Sequence, residues 1–524
     1  MAFQLIQAGS SLQFVDESGV LTTLTLPTGI TLKTDRPPRF ALYGRYVVMV
    51  NTPNRPISID PFGEVRVLVP FPPSTALGFT ATTAGDLTGT YKAKQTYIIR
   101  DRFGNVLAES DFGPAQASGE VVVSKTLALT GINISADDIS GSNIYRTLDG
   151  GEVYFKWREL DGNILTTSDE DDLADLELEI FSAPILGTPP DLSLIAEWRG
   201  RLWGISRVDV DTLRYTEPGT MFAWSTNNAI SIPKIGADTR GVTAIITRRD
   251  SLVVGRRNSI QQITGTSNND FRCVKLTDQC GIESNESIAI YKDSAFFIWK
   301  DGVYRLDANG VECISDGKVR SWFTTDTYFN RARFQYAAGA IDPVQLKYRL
   351  YLSAPASTDL DRWIEYDLVD GTWWGPHKTD AFTPVSSMTI ATSDDILLPV
   401  VASSSGFLWK EQATATDNVS TGIDFNVDTA FDSQDTPDMD KFWGQLSIVG
   451  KPQTTGNLTI TPYIGYTNAA AANAFYFVMS KGKQLLGRLG IGKMVKFNFR
   501  HTAAAEPVEL YGYEVDNVHE LGQR

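Results

Sequence analysis

A short apolar strand core returns along this chain at nearly equal intervals. Arg201-Leu202-Trp203-Gly204, Ser251-Leu252-Val253-Val254-Gly255, Ala295-Phe296-Phe297-Ile298, Arg349-Leu350-Tyr351-Leu352 and Ile396-Leu397-Leu398-Pro399-Val400 carry it. Counted from Leu202, Leu252, Phe296, Leu350 and Leu397, the steps are 50, 44, 54 and 47 residues. Each core is followed by a second strand pattern, at 212–215, 259–263, 303–307, 363–367 and 406–409. A drifting repeat of this length matches one four-stranded propeller blade, a unit that buries its apolar faces only by stacking on its neighbours. The turns agree. Residues 296–310 read F-F-I-W-K-D-G-V-Y-R-L-D-A-N-G, and the Asp301-Gly302 and Asn309-Gly310 pairs tolerate the positive φ of a tight hairpin. A generic antiparallel meander is the plainer alternative to blades.

An earlier core, Tyr46-Val47-Val48-Met49-Val50, precedes Leu202 by 155 residues, about three repeats, yet the text between has a different rhythm. Over 71–183 short alternating strands, such as Gln95-Thr96-Tyr97-Ile98-Ile99, Val121-Val122-Val123 and Asn143-Ile144-Tyr145-Arg146, are separated by a turn about every ten residues, the pattern of an immunoglobulin or fibronectin-III-like sandwich. Removing an insert of that length returns the step to about one repeat. The expected fold is therefore all-β: a six- or seven-bladed β-propeller (1–70 and 184–411) with an inserted sandwich (71–183) that should be separable. Pairing of strands from 3–26 with strands near 396–410 would close the propeller and remove two exposed edges. After Glu411 a polar stretch, 412–440, leads into alternating strands at 458–460, 495–499 and 511–515. These predict a C-terminal β domain over 412–524, with Ala469 to Ala472 as a loop or short helix.

With 524 residues the chain is too long for one core. Its 47 basic against 62 acidic residues give a net charge of −15, which argues against a protein that grips nucleic acid by neutralising phosphates, though not against one that touches DNA in passing. Three cysteines, Cys273, Cys280 and Cys313, make no complete disulfide framework and read as small buried residues from a reducing compartment. The N-terminal M-A-F-Q-L-I-Q-A-G-S-S has neither the basic nor the apolar region of a signal peptide, and no apolar run approaches the ~20 residues that span a bilayer. A soluble, unexported protein is expected.

Local motifs for chemistry each fail at a required position. Gly487-Arg488-Leu489-Gly490-Ile491-Gly492-Lys493-Met494 follows a phosphate-binding G-x-x-x-x-G-K until Met494, where Ser or Thr should stand, and the next residues alternate like a strand instead of opening a helix. The acidic run from Asp169 to Glu177 has oxygens for calcium but no loop glycine, and reads as a solvated loop. His377, His501 and His519 form no H-x-x-x-H pair; His519-Glu520 starts H-E-x-x-H, but Gln523 occupies the second ligand position. Asp367-Leu368-Val369-Asp370-Gly371-Thr372-Trp373-Trp374 resembles the Asp-turn-Trp of sialidase-type blades, or else is a hairpin whose Asp binds turn amides and whose Trp packs between blades. Glycosidase carboxylates contributed by different blades would escape local reading. Arg248-Arg249 and Arg256-Arg257 bracket one strand and face DNA or an acidic neighbour subunit, or are ordinary exposed strand ends. No catalytic, cofactor-binding or metal-binding residue is assigned.

Taken together, R-G-R-L-W-G-I-S (199–206), L-R-Y-T-E-P-G (213–219), S-L-V-V-G-R-R-N-S-I-Q-Q-I-T-G (251–265), the 296–310 hairpin with C-I-S (313–315) and I-E-Y-D-L-V-D-G-T-W-W (364–374) resemble the propeller of tail nozzle proteins of short-tailed bacteriophages, also called tail tubular protein B or stabilisation proteins. D-R-F-G-N-V-L-A-E-S (101–110) and N-I-Y-R-T-L-D-G-G (143–151) are similar to fibronectin-like inserts in that family. The resemblance covers most of residues 1–410 and implies a structural virion protein, made in the host cytoplasm, without catalytic residues or cofactor. Six copies would form a ring below the head-to-tail connector or adaptor, carry tail fibres or spikes outside, and pass double-stranded DNA without sequence-specific binding during genome ejection. A propeller-type carbohydrate-binding adhesin and a glycan hydrolase of the tail remain the alternatives.

Overall fold

The computed structural model describes residues 4–15, 20–35, 37–51, 55–166, 170–178, 183–236, 238–379, 382–391, 397–410, 417–418, 421–422, 425–465, 473–503 and 508–522. Two compact units divide the chain, Met1–Lys410 and Glu411–Arg524. Nearly all regular structure is strand; the α-helices of the described residues are the four-residue turns Asp175–Leu178 and Ser321–Thr324. No helix of the described residues is long and apolar enough to cross a membrane.

The first unit is a propeller-type series of antiparallel meanders. Sheet A has three strands (Gln4–Ala8, Ser11–Val15, Leu21–Thr23), and sheet B has four (Phe40–Tyr43, Tyr46–Met49, Ile57–Ile59, Val65–Val67). After the insert come sheet C (Leu192–Trp198, Arg201–Ser206, Thr212–Tyr215, Ala229–Ser231) and sheet D (Ala244–Thr247, Leu252–Gly255, Ile260–Thr264, Arg272–Thr277). Sheet E (Ala289–Tyr291, Ser294–Trp299, Gly302–Asp307, Gly310–Cys313) and sheet F (Ala338–Asp342, Lys347–Leu352, Arg362–Asp367, Trp373–Lys378) follow. Sheet G ends the series with three strands (Pro384–Ala391, Leu397–Ser403, Leu408–Lys410). Every recurring core of the sequence falls on the second strand of a sheet. The first strands pack in series: that of C lies against those of B and D, and that of F against those of E and G.

Side-chain alternation explains why those second strands are apolar almost without interruption. Successive residues of a strand point to opposite faces, and here each face meets a different sheet. In sheet E, Ala295 and Phe297 join a core with Val253 and Ile260 of sheet D, while Phe296 and Ile298 join one with Tyr348 and Leu350 of sheet F. In sheet D, Val253 belongs to the core shared with E, whereas Leu252 and Val254 pack with Trp203 and Tyr215 of sheet C. B joins C through Val48, Val50, Leu192 and Leu202, and F joins G through Tyr351 and Val401. Each core is thus a layer between two sheets, so no sheet buries its own faces alone.

Two expectations are corrected. Gly302 has no positive φ: Trp299 pairs with Gly302 across a Lys300-Asp301 turn, and a Cβ on Gly302 would meet Ser315 Oγ at 2.2 Å, so close approach requires the glycine. Closure by strand exchange is absent among the described residues, because the strands of sheet A pair only with one another and so do those of sheet G. Sheet A instead packs on sheet B through Leu12, Leu24, Met49 and Ile57.

Between sheets B and C the chain forms two further sheets, one of four strands (Val106–Glu109, Ala93–Arg100, Gly141–Thr147, Tyr154–Asp161) and one of three (Glu170–Asp171, Glu120–Thr130, Gly78–Tyr91). They share a core of Phe79, Tyr91, Val122, Leu127, Ile144 and Leu160. This insert is bolted to sheet B: Ile99 and Ala108 enter the core of sheets A and B, and the Arg55 guanidinium donates to both Asp137 oxygens at 2.6 and 2.8 Å, with both side chains buried.

The second unit has its own pair of sheets. One runs Phe425–Asp428, Val495–His501, Asn457–Ile464, Phe475–Val478; in the other Asp440–Gly450 is flanked by Lys483–Gly492 and by Leu510–Val515 and His519–Gly522. Trp443, Leu446, Ile448, Phe477, Phe497 and Phe499 fill the space between. The Ala469 to Ala472 run lies outside the described residues.

Candidate functional site

The hairpin at 367–374 joins the third and fourth strands of sheet F. Asp367 turns its carboxylate back on its own loop and accepts hydrogen bonds from the Val369 and Asp370 amides at 2.8 and 3.0 Å, while Gly371 takes φ +65° to close the turn. Those amide bonds hold the Asp367 carboxyl below the usual carboxylate range. Trp373 lies against Tyr366, ring centroids 4.8 Å apart, and its Nε1 donates to the Ile314 carbonyl that follows sheet E. The Asp is a turn residue and the Trp a rivet between neighbouring sheets. Beside it, two carboxylates from different strands do converge, but on a cation: Arg349 Nε donates to Glu365 at 2.7 Å and its guanidinium lies 3.5 Å from Asp342, all three side chains being buried.

Of the two arginine pairs, Arg256 is a correction. It is wholly buried, bridges Asp211 at 2.8 Å, and donates to the carbonyls of Arg240 and Ile232, so it faces neither DNA nor a neighbour. The guanidinium and Lys234 hold the Asp211 carboxyl below its ordinary value against the opposing effect of burial, which is the largest single influence. Arg257 bridges Glu283 at 3.0 Å and Arg248 donates to the Asp307 carbonyl, both links to sheet E or the loop before it. Arg249 is exposed.

The acidic run is likewise not a solvated loop throughout. Asp169 lies outside the described residues, but Asp171 is fully buried and binds Arg146 at 2.8 Å, Asp175 binds the same guanidinium at 2.9 Å, and Glu170 accepts from the Thr83 and Thr126 hydroxyls. Burial raises the Asp171 carboxyl although Arg146 pulls it back. No grouping of three or more metal-binding side chains occurs among the described residues.

The glycine-lysine segment is a strand, Lys483–Gly492, followed after Lys493-Met494 by another strand in the opposite sheet. A Cβ on Gly492 would meet Ile464 Cγ2 at 2.2 Å, and the Gly492 carbonyl accepts from Trp443 Nε1 at 2.8 Å; the glycine serves packing, and no helix N-terminus is present to hold phosphate. His377 stacks on Trp363 at 4.3 Å, with burial lowering its pKa, and His501 Nδ1 lies 2.9 Å from the Asn457 carbonyl. His519 sits in the short strand His519–Gly522, and Gln523 is outside the described residues. Cys280 is buried and Cys273 and Cys313 half-buried, all as free thiols; burial pushes Cys280 up to about 12 and Cys273 up to about 11, the wrong direction for a nucleophile.

Sequence reading missed the side chains that matter most here, the buried ion pairs Arg55–Asp137 and Arg146–Asp171 and the partly buried pairs Arg256–Asp211 and Arg39–Glu286. In the last, Arg39 Nη2 donates to Glu286 at 2.7 Å. Its partners lie 247 residues apart, so no local spacing could have signalled it.

No family model matches this chain, and no curated protein does. Solved structures do align. Hsv2 of Kluyvelomyces marxianus covers 56% of this chain and 72% of its own at 10% identity and TM-score 0.28. Kluyveromyces lactis Hsv2 covers 55% and 69% at 10% and 0.29. The Cps50 (Swd1) beta-propeller domain of Myceliophteria thermophila covers 79% and 99% at 8% and 0.31. Likeness at that level carries no argument about activity or partners.

Proposed function

We propose that this chain is a structural wall subunit of tail nozzle type from a short-tailed bacteriophage, with sheets A to G as seven blades of a β-propeller and the insert as its immunoglobulin/fibronectin-III-like sandwich. The observation that carries this reading is the use made of charged and aromatic side chains. Trp373, Arg256, Arg257 and Arg55 all fasten one sheet or module to the next, in a series whose every core is an interlayer. Such a body is stiff and modular, as a wall requires. The motif resemblance supplies the rest: a ring of six chains under the connector or adaptor, tail fibres or spikes outside, DNA passing within. A net charge of −15 suits a conduit to which DNA must not adhere.

The test is a pair of measurements on the full chain. Light scattering and electron microscopy should find a ring, six chains being expected, and a salt series should find little duplex binding even near roughly 50 mM. A protein strictly monomeric at high concentration, or tight binding that falls steeply with salt, would return the adhesin or hydrolase reading to first place.

A further inference from the structure

The ion pair between Arg39 and Glu286 does not follow the wall of the array. Arg39 immediately precedes the first strand of sheet B and Glu286 shortly precedes the first strand of sheet E, with sheets C and D between them in the series. In a propeller closed around an axis, first strands such as these, which pack from B to C to D and from E to F to G, line that axis, and the residues that enter them lie at one mouth of it. A direct bridge from B to E that bypasses C and D must therefore cross that mouth. It is well shielded, with side chains 15% and 25% exposed.

Both ends are anchored. Around Glu286, Asn285 Oδ1 accepts from the Ile245 amide of sheet D, Ser284 Oγ donates to the Ala337 carbonyl, and the Glu286 carbonyl accepts from the Gly339 amide of sheet F. The Glu286 loop is thus held by D and F as well as leading into E. On the other side the Arg39 carbonyl accepts from the Val50 amide, extending the pairing of sheet B. Asn51, next in the chain, donates to the Lys33 carbonyl and to Gln7 of sheet A, and Gln7 donates to the same carbonyl. Force applied at Glu286 reaches sheet A through four named residues.

That chain of contacts gains meaning from the seam. Among the described residues no strand pairs sheet A with sheet G, so no described backbone pairing holds the two ends of the array together. We propose that Arg39–Glu286 is a through-axis latch: it fixes sheets A and B, which precede the insert, to the later sheets, closes one mouth of the axis, and keeps the A–G seam shut. Burial raises the Glu286 carboxyl and lowers the Arg39 guanidinium, each opposed by the partner, so each charge depends on the other. Removing one leaves the other uncompensated.

The inference rests on the closed-propeller part of the functional reading but not on ring formation, and its test is read within one chain. Hydrogen exchange by mass spectrometry on the full protein should show, for Glu286→Gln and for Arg39→Met, a loss of protection of about tenfold or more in Gln4–Ala8 and Pro384–Ala391. Ser294–Trp299 and Lys347–Leu352, inside the continuous stack, should keep theirs. The exchange of charges in Arg39→Glu with Glu286→Arg should restore much of the protection at the seam. Unchanged exchange in both single variants overturns the latch, and so does a uniform loss across all sheets or failure to fold, since the pair would then be a general pillar. A monomeric protein that nevertheless passes this test refutes the nozzle and leaves the latch standing.

Discussion

Arg55 and Lys493 show how little the look of a residue in the sequence says about what it does. Arg55 sits in an unremarked R-P-I-S, yet its guanidinium lies in a two-pronged bond to Asp137, 82 residues away, with both side chains under one-tenth exposed. Lys493 ends the most motif-like segment of the chain and occupies a turn between strands of two sheets. The energetic expectations are opposite. Asp137→Ala removes the two-pronged acceptor of a buried cation and should cost about 3–5 kcal/mol in urea unfolding. Lys493→Ala should change stability by no more than about 0.5 kcal/mol and leave nucleotide binding, tested with labelled ATP, at background. Equal destabilisation by the two would mean that the insert is not held through Arg55.

At the scale of elements, the second strands of sheets B to G were legible because both their faces are largely buried. Continuous apolar runs such as Ala295-Phe296-Phe297-Ile298 stand out from the alternation of a half-buried strand, and their spacing followed. The fourth strands were harder to see, since Arg272–Thr277 is largely exposed and reads as a polar segment. The insert shows in the sequence as a change of rhythm, which says nothing of its attachment. Because Ile99, Ala108 and Asp137 all reach into sheet B or the core beneath it, excision is no longer expected to be silent. Replacement of residues 72–183 by a Gly/Ser bridge should lower the urea midpoint of the remaining array and decrease soluble yield. Adding Arg55→Met to the deletion should recover part of the loss, because it replaces a charge that has lost its Asp137 acceptor by an apolar chain of similar length. No recovery would place the damage in the exposed apolar surface alone.

At the scale of the whole molecule, the two units differ in how their cores are built. The first depends on stacking of one sheet on the next, while the second encloses Trp443, Phe477, Phe497 and Phe499 between two sheets of its own. Residues 425–524 expressed alone should therefore fold, giving a β-type circular dichroism spectrum and a single cooperative urea transition. A non-cooperative transition would show that its core is incomplete without the first unit. Sequence alone determined that this protein is all-β, that its meanders recur about every fifty residues, and that a differently patterned segment interrupts them, because strand periodicity, turn chemistry and two-sided burial are local properties written into neighbouring residues. Only the tertiary structure decided that Arg256 is buried and not presented to a ligand, that sheets A and G are separate meanders among the described residues, and that Arg39 meets Glu286. Those outcomes depend on which distant charges and strand edges the packed fold brings within a few ångströms, and the attraction between such groups is set by that distance and by the water excluded around them.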